Sequence, residues 1–211
     1  MQSALVHLGP MLHWIELFLH ALLVGLLIAV PVLFVQRIRA IRSIAGNSRH
    51  WVEIFSRSLR ENAEVECLAD GGRSLPERLS AFALSHQHLC PDALERLLEA
   101  REIEERHELE KGLGILGTIG SNAPFVGLTG TVLGILAAFQ QMGAAGQAGP
   151  QVMSAIAAAL VATAAGLLVA IPAVVLHNIL HSRVSWVLEE SRQLRIILVA
   201  RSLQATVKET F

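Results

Sequence analysis

From Gly112 to Ser182 the chain carries no Asp, Glu, Lys or Arg. A soluble fold could not bury so long a stretch without charged residues on its outer face. In lipid such a stretch is expected, because about 20 apolar residues in a helix cross the hydrocarbon core. The stretch is too long for one crossing. A soft break at 143–149, rich in Gly, Ala and Gln and followed by Pro150, divides it in two. The expected second and third spans are 112–142 and 152–176, joined by a short loop at 143–151. A loop this short makes them an antiparallel hairpin. An earlier charge-free run, Leu17–Val35, supplies a first span over 15–35. Hydrophobic residues form 53% of the chain and charged residues only 17%, against about 25% charged in soluble domains.

The charge lies mostly in 36–111. Apolar positions there (Ile54, Phe55, Leu59; Leu94, Leu97, Leu98) recur at three and four residues, which predicts amphipathic helices. Turn-forming clusters at Gly46-Asn47-Ser48, Asp70-Gly71-Gly72 and Ser74-Leu75-Pro76-Glu77 read as breaks. Pro91-Asp92 reads as a helix start. From it a charged helix is expected to run straight on towards the second span, with Glu102, Glu105 and Arg106 as solvated surface pairs. Residues 177–211 have helical periodicity and extend the third span. The fold class is therefore all-α integral membrane protein: three transmembrane helices, a helical cytoplasmic domain, and long helices reaching into the cytoplasm.

Orientation follows from Lys and Arg beside the spans. Arg37, Arg39 and Arg42 follow the first, Arg101, Arg106 and Lys111 precede the second, and Arg183, Arg192 and Arg195 follow the third. Residues 1–14 and 143–151 have none. The expected topology puts the N-terminus (1–14) and the loop on the periplasmic side and the C-terminus in the cytoplasm. Lacking a basic n-region, the N-terminus does not read as a signal peptide. Trp14 is placed as an interfacial anchor.

Spans two and three are built from small residues. The second carries glycines at 112, 114, 117, 120, 127, 130 and 134, and the third carries Ser154, Ala158, Ala162, Gly166 and Ala170 at intervals of four. Such strips let membrane helices approach closely. Gly127, Gly130, Gly134, Ala162, Gly166 and Ala170 are the expected packing positions, and Pro124 and Pro172 the expected kinks. The packing partner is either the other arm of the hairpin or another chain. Thr131 and Thr163 fall at similar depth on antiparallel neighbours and could face a common polar line.

Other chemistries lack their residues. Net charge is −1, which gives no reason to expect nucleic acid. Cys67 and Cys90 form no CxxC pair and read as free thiols. His13, Glu16 and His20 share a helical face, but as polar residues at the outer edge of a span; no metal or cofactor is expected. Gly112-x-Gly114-x-x-Gly117 lacks the strand and acid of a dinucleotide site. No nucleophile or acid–base pair is assembled, so an enzyme is not expected.

Two segments carry a resemblance. Asn122-Ala123-Pro124-Phe125-Val126-Gly127-Leu128-Thr129-Gly130-Thr131-Val132-Leu133-Gly134-Ile135 resembles the second-span signature of the ExbB/TolQ/MotA proton-channel family. Residues 159–174, from Ala159-Leu160-Val161-Ala162-Thr163 to Ile171-Pro172-Ala173-Val174, resemble the third-span signature of its ExbB/TolQ branch. The resemblance implies a homopentameric ring in the inner membrane. The ring would enclose two copies of a single-span ExbD/TolR-like partner, each with one aspartate, and would drive a TonB- or TolA-like protein. It also gives Thr131 and Thr163 the role of pore-facing threonines. One position departs from the pattern. The branch carries a glutamate five residues before the third-span threonine, and Ala158 stands there. Three readings stay open: a divergent motor in which the partner aspartate suffices, a coupling-deficient form with the acid removed on purpose, and a ring that conducts nothing and serves as a scaffold.

Overall fold

The computed structural model describes residues 2–45, 48–61, 74–86, 88–145 and 149–210. Within these, only the backbone is described for 2–13, 48, 49, 51, 58–61, 141, 144, 145, 151 and 205–210. Cys67, the Gly46-Asn47 and Asp70-Gly71-Gly72 turns, the His13 side chain and part of the 143–151 loop therefore lie outside the described residues.

The described residues form helices without strands: α1 (Gln2–Ala45), α2 (Ser48–Glu61), α3 (Leu75–Ser85), α4 (Pro91–Glu110), α5 (Leu113–Ala145) and α6 (Pro150–Thr210). Three of them, α1, α5 and α6, are long and apolar enough to cross a membrane. The protein is an all-α integral membrane protein. Its chain divides into two compact units, one of residues 1–35 and 113–178, the other of 36–112 and 179–211.

In the first unit α5 and α6 pack along small residues. Pro150 occupies the first turn of α6, where its missing N–H is not needed. Buried positions on α5 are Leu113, Leu116, Gly120, Ala123, Gly127, Gly130, Gly134 and Ala138, a helical stripe. The two helices are antiparallel, and their contacts run in order. Gly134 meets Ala159, Gly130 meets Ala162, Gly127 meets Gly166, Gly120 meets Val174, and Gly117 meets the ring of His177. The crossing is tightest at Gly127 and Gly166. A Cβ on Gly127 would stand 2.7 Å from the Ala162 carbonyl oxygen, and one on Gly166 2.7 Å from that of Ala123. Backbone, not side chain, occupies the space, so no rotamer change could make room. Both helices run unbroken through Pro124 and Pro172.

The packed line on α6 differs from the strip expected at intervals of four. Ala162, Gly166 and Ala170 are buried, but Ser154 and Ala158 are exposed, and Val152 and Ala159 are buried in their place. A helix of 3.6 residues per turn drifts by about 40° at each step of four, so a strict four-residue strip winds off the contact face. Gly114 also differs: a Cβ added there would meet nothing within 4 Å.

The second unit has an apolar core that includes Phe55, Leu75, Leu79, Leu94, Leu98, Leu109, Leu180, Val184 and Leu194. The segment Ser74–Glu77, expected as a break, starts α3 instead. The Glu77 carboxylate accepts from the Ser74 backbone N–H at 3.3 Å, the return half of a capping box. The helix from Pro91 does not run on into the second span. It ends at Glu110, Lys111 leaves helical geometry (ψ 124°), and Gly112 turns the chain with φ +76°. A side chain is strained at that φ, and the Arg37 guanidinium packs where a Cβ would go, 2.5 Å from it. Gly112 is thus a turn residue and not a packing residue of a span.

Two of the three residues expected at the surface are not there: Glu105 is buried and Glu102 half-buried. Glu105 is 5% exposed because it falls on the same face of α4 as Leu94, Leu98 and Leu109. Arg78 of α3 donates to it at 2.6 Å, and Arg101 lies at 3.4 Å. Glu102 pairs with Arg195 of α6 at 3.3 Å. Its Oε1 is buried with no hydrogen-bond partner among the described residues, and burial pushes its carboxyl above the usual carboxylate range despite the opposing pull of Arg195 and Arg192. Arg106 is a surface residue as expected, paired with Glu110 at 2.8 Å.

Candidate functional site: a hydroxyl pair between two membrane helices

Three hydroxyls in the first unit satisfy themselves locally. Thr118 donates to Gly114 O, Ser121 to Gly117 O and Thr129 to Phe125 O, at 2.8–3.0 Å on their own helix. This back-bonding is the ordinary state of such residues in apolar helices.

Thr131 and Thr163 are different. Their hydroxyls hydrogen-bond to each other across the α5–α6 crossing. Thr131 Oγ1 also lies 3.2 Å from Gly127 O and 3.2 Å from Ala159 O, and Thr163 Oγ1 3.3 Å from Gly127 O. The two hydroxyls have two protons between them and reach two carbonyls as well as each other. Either oxygen can donate or accept, so the protons can be arranged in more than one way without moving a heavy atom. The glycines make this contact possible: a Cβ on Gly127 would be 3.1 Å from the Thr163 Cα. Both threonines are half-buried, so the pair is open on one side.

Ala158 is exposed. The neighbouring Ala159 is fully buried against Gly134. Glu16, expected at the outer edge of a span, stands two residues inside the candidate span that opens at Trp14; its contact with α5 was not expected. The side chain is half-buried, and its Oε1 lies 3.7 Å from where a Gly134 Cβ would stand. No spacing rule would have found this, because it depends on how α1 lies against α5. His20 directs Nδ1 to the Glu16 backbone carbonyl at 2.8 Å, and the described residues hold no metal-binding cluster.

Residues 60–193 match the sequence profile of the MotA/TolQ/ExbB proton channel family. The chain belongs to that family. The match takes in both threonines and the whole α5–α6 crossing. Among curated relatives, the Helicobacter pylori biopolymer transport protein ExbB-like 2 is 46% identical over 98 residues, 42% of this chain and 65% of that protein. The Aquifex aeolicus biopolymer transport protein ExbB is 51% identical over 78 residues, 36% of this chain and 53% of that protein. The Haemophilus influenzae Tol-Pal system protein TolQ is 32% identical over 200 residues, 82% of this chain and 86% of that protein. The matches to the first two thus span less than two thirds of those proteins. As a member of a proton channel family with three span-length apolar helices, the protein is a multi-pass membrane protein.

Proposed function

We propose that the chain is the ring-forming subunit of an inner-membrane motor driven by the proton-motive force. In this reading it forms a homopentamer around two copies of an ExbD/TolR-like single-span partner and energises a TonB/Tol-like system. The N-terminus and the 143–151 loop are periplasmic and the C-terminus cytoplasmic, in keeping with the Lys and Arg beside the spans. The observation that carries the proposal is the Thr131–Thr163 hydroxyl pair, the cross-helix side-chain contact of a hairpin in a proton channel family. An aspartate on a partner helix alternates between neutral and charged forms as protons pass. Hydroxyls suit both forms, donating to the carboxylate and accepting from the acid. A fixed cation there would hold the carboxylate.

The test is proton flux into liposomes holding the chain and its ExbD/TolR-like partner. Thr131→Ala and Thr163→Ala are expected to reduce flux at least tenfold while the oligomer keeps its mass. Flux at the original level in both would remove the pore assignment. A second reading, a non-conducting scaffold that anchors a partner, is favoured by one fact: no Asp or Glu occurs in 113–178, Ala158 included. The unaltered complex without flux, gaining it on Ala158→Glu, would establish that reading.

A further inference from the structure

Across 1–35 and 113–178, the segments that make up the first unit, the sequence has one carboxylate, Glu16, and no Lys or Arg. An ionisable group inside a membrane span is costly to keep and marks an ion path by default. Glu16 falls within the candidate span that opens at Trp14, and its half-buried side chain turns inwards. The carboxylate reaches the point where α5 and α6 cross at Gly134 and Ala159. On α5 the apolar span continues from Gly134 to Gln140, six residues or about 9 Å beyond this level. The contact on α5 is therefore inside that span, while the Glu16 backbone stands two residues, about 3 Å, from the start of its own span.

What surrounds it points to a use. Gly134 and Ala159 present almost no side chain, which leaves room for a carboxylate at their crossing. Thr131 lies one turn further along α5, about 5 Å, and its hydroxyl is 3.2 Å from the carbonyl of Ala159 itself. The acid lies beside Gly134, and Thr131 reaches Ala159, the residue of α6 that packs on Gly134, from the next turn. Of the titratable groups on the described faces, His20 is tied to the backbone of Glu16 and His177 lies beside Gly117 and Leu113, five turns of α5 from Gly134 at about 3.6 residues per turn.

We propose that Glu16 is a proton-relay residue of this subunit, delivering protons from the 143–151 end of the hairpin to the Thr131–Thr163 pair; the proposal rests on the proton-conducting reading above. A proton from water bonds to a carboxylate oxygen and gives neutral Glu16. That O–H bond breaks as the proton passes to a threonine oxygen, directly or through one water. The threonine releases the proton it already held to the aspartate carboxylate of the ExbD/TolR-like partner, and Glu16 returns to its charged form. The acid on this path is supplied by α1 and not by α6, where Ala158 offers none.

The test uses the chain and its ExbD/TolR-like partner in liposomes with a pH gradient, comparing the unaltered complex with Glu16→Gln. Dicyclohexylcarbodiimide, which modifies protonated carboxyls in apolar surroundings, is applied to both, and the adduct is located by mass spectrometry. The expected result is flux from the unaltered complex, a loss of at least tenfold in Glu16→Gln, and a Glu16 adduct that accumulates in step with the loss of flux. The adduct arm needs no variant to fold. Unchanged flux in Glu16→Gln, or full flux with Glu16 modified, would overturn the proposal and leave the motor reading standing. An unaltered complex that conducts nothing would remove both.

Discussion

The α5–α6 crossing predicts that a single methyl group at Gly127 should undo it. In Gly127→Ala the new Cβ would stand 2.7 Å from Ala162 O and 3.1 Å from both Gly166 Cα and Thr163 Cα. All three are backbone atoms, so relief requires the helices to separate by several tenths of an ångström. Overpacking of this kind costs about 1–3 kcal/mol. Against it stands the gain in helix propensity from replacing glycine by alanine, about 1 kcal/mol in water. The informative quantity is therefore a difference. Gly25→Ala and Gly114→Ala have nothing within 4 Å of the new atom and should show the propensity gain alone. Gly127→Ala should fall below these two controls by about 1–3 kcal/mol. Separation would also part Thr131 from Thr163, so proton flux should fall with stability. Denaturation in detergent micelles, followed by helix content, measures all three variants on one scale. A Gly127→Ala protein as stable as the two controls would refute the backbone contact.

Two further predictions concern the second unit. Arg78→Ala removes the closer of two cations beside buried Glu105 and leaves Arg101 at 3.4 Å; the expected loss is about 1.5–3 kcal/mol in chemical denaturation, and no loss would show that Arg101 alone satisfies the carboxylate. For Glu102 the folded pKa is raised by burial, so the folded state holds its proton to higher pH than the unfolded chain does. Its relative stabilisation is full below the unfolded pKa and is lost as pH rises through the raised folded value. Glu102→Gln should therefore flatten the fall in stability above the usual carboxylate range, and a pH–stability profile identical in both proteins would contradict the assignment.

The membrane hairpin is legible in the sequence because absence of charge over a long stretch has one physical meaning. The threonine pair is legible as well, since equal depth on antiparallel neighbours allows a meeting. Other features depend on registers that spacing does not carry. By charge alone Glu105 is a surface residue, yet its place on the Leu94–Leu98–Leu109 face of α4 puts it indoors. Ser74 and Glu77 have the composition of a turn, although the same two residues three apart cap a helix. Gly112 resembles one more small residue in a glycine-rich span, and only its φ of +76° separates a turn from a packing contact. Glu16 depends on the path of α1 along α5, which nothing local specifies.

The exposed position of Ala158 separates two things that could have been tied together. Atoms of Ala159, Ala162 and Gly166 meet the α5 glycines, and Ala158, one residue before the first of them, is exposed. An acid can be gained or lost at 158 by a single codon change with no repacking of the hairpin. On the proton-conducting reading proposed above, a lineage built on this frame would alter how its protons move while α5 and α6 stay packed as before.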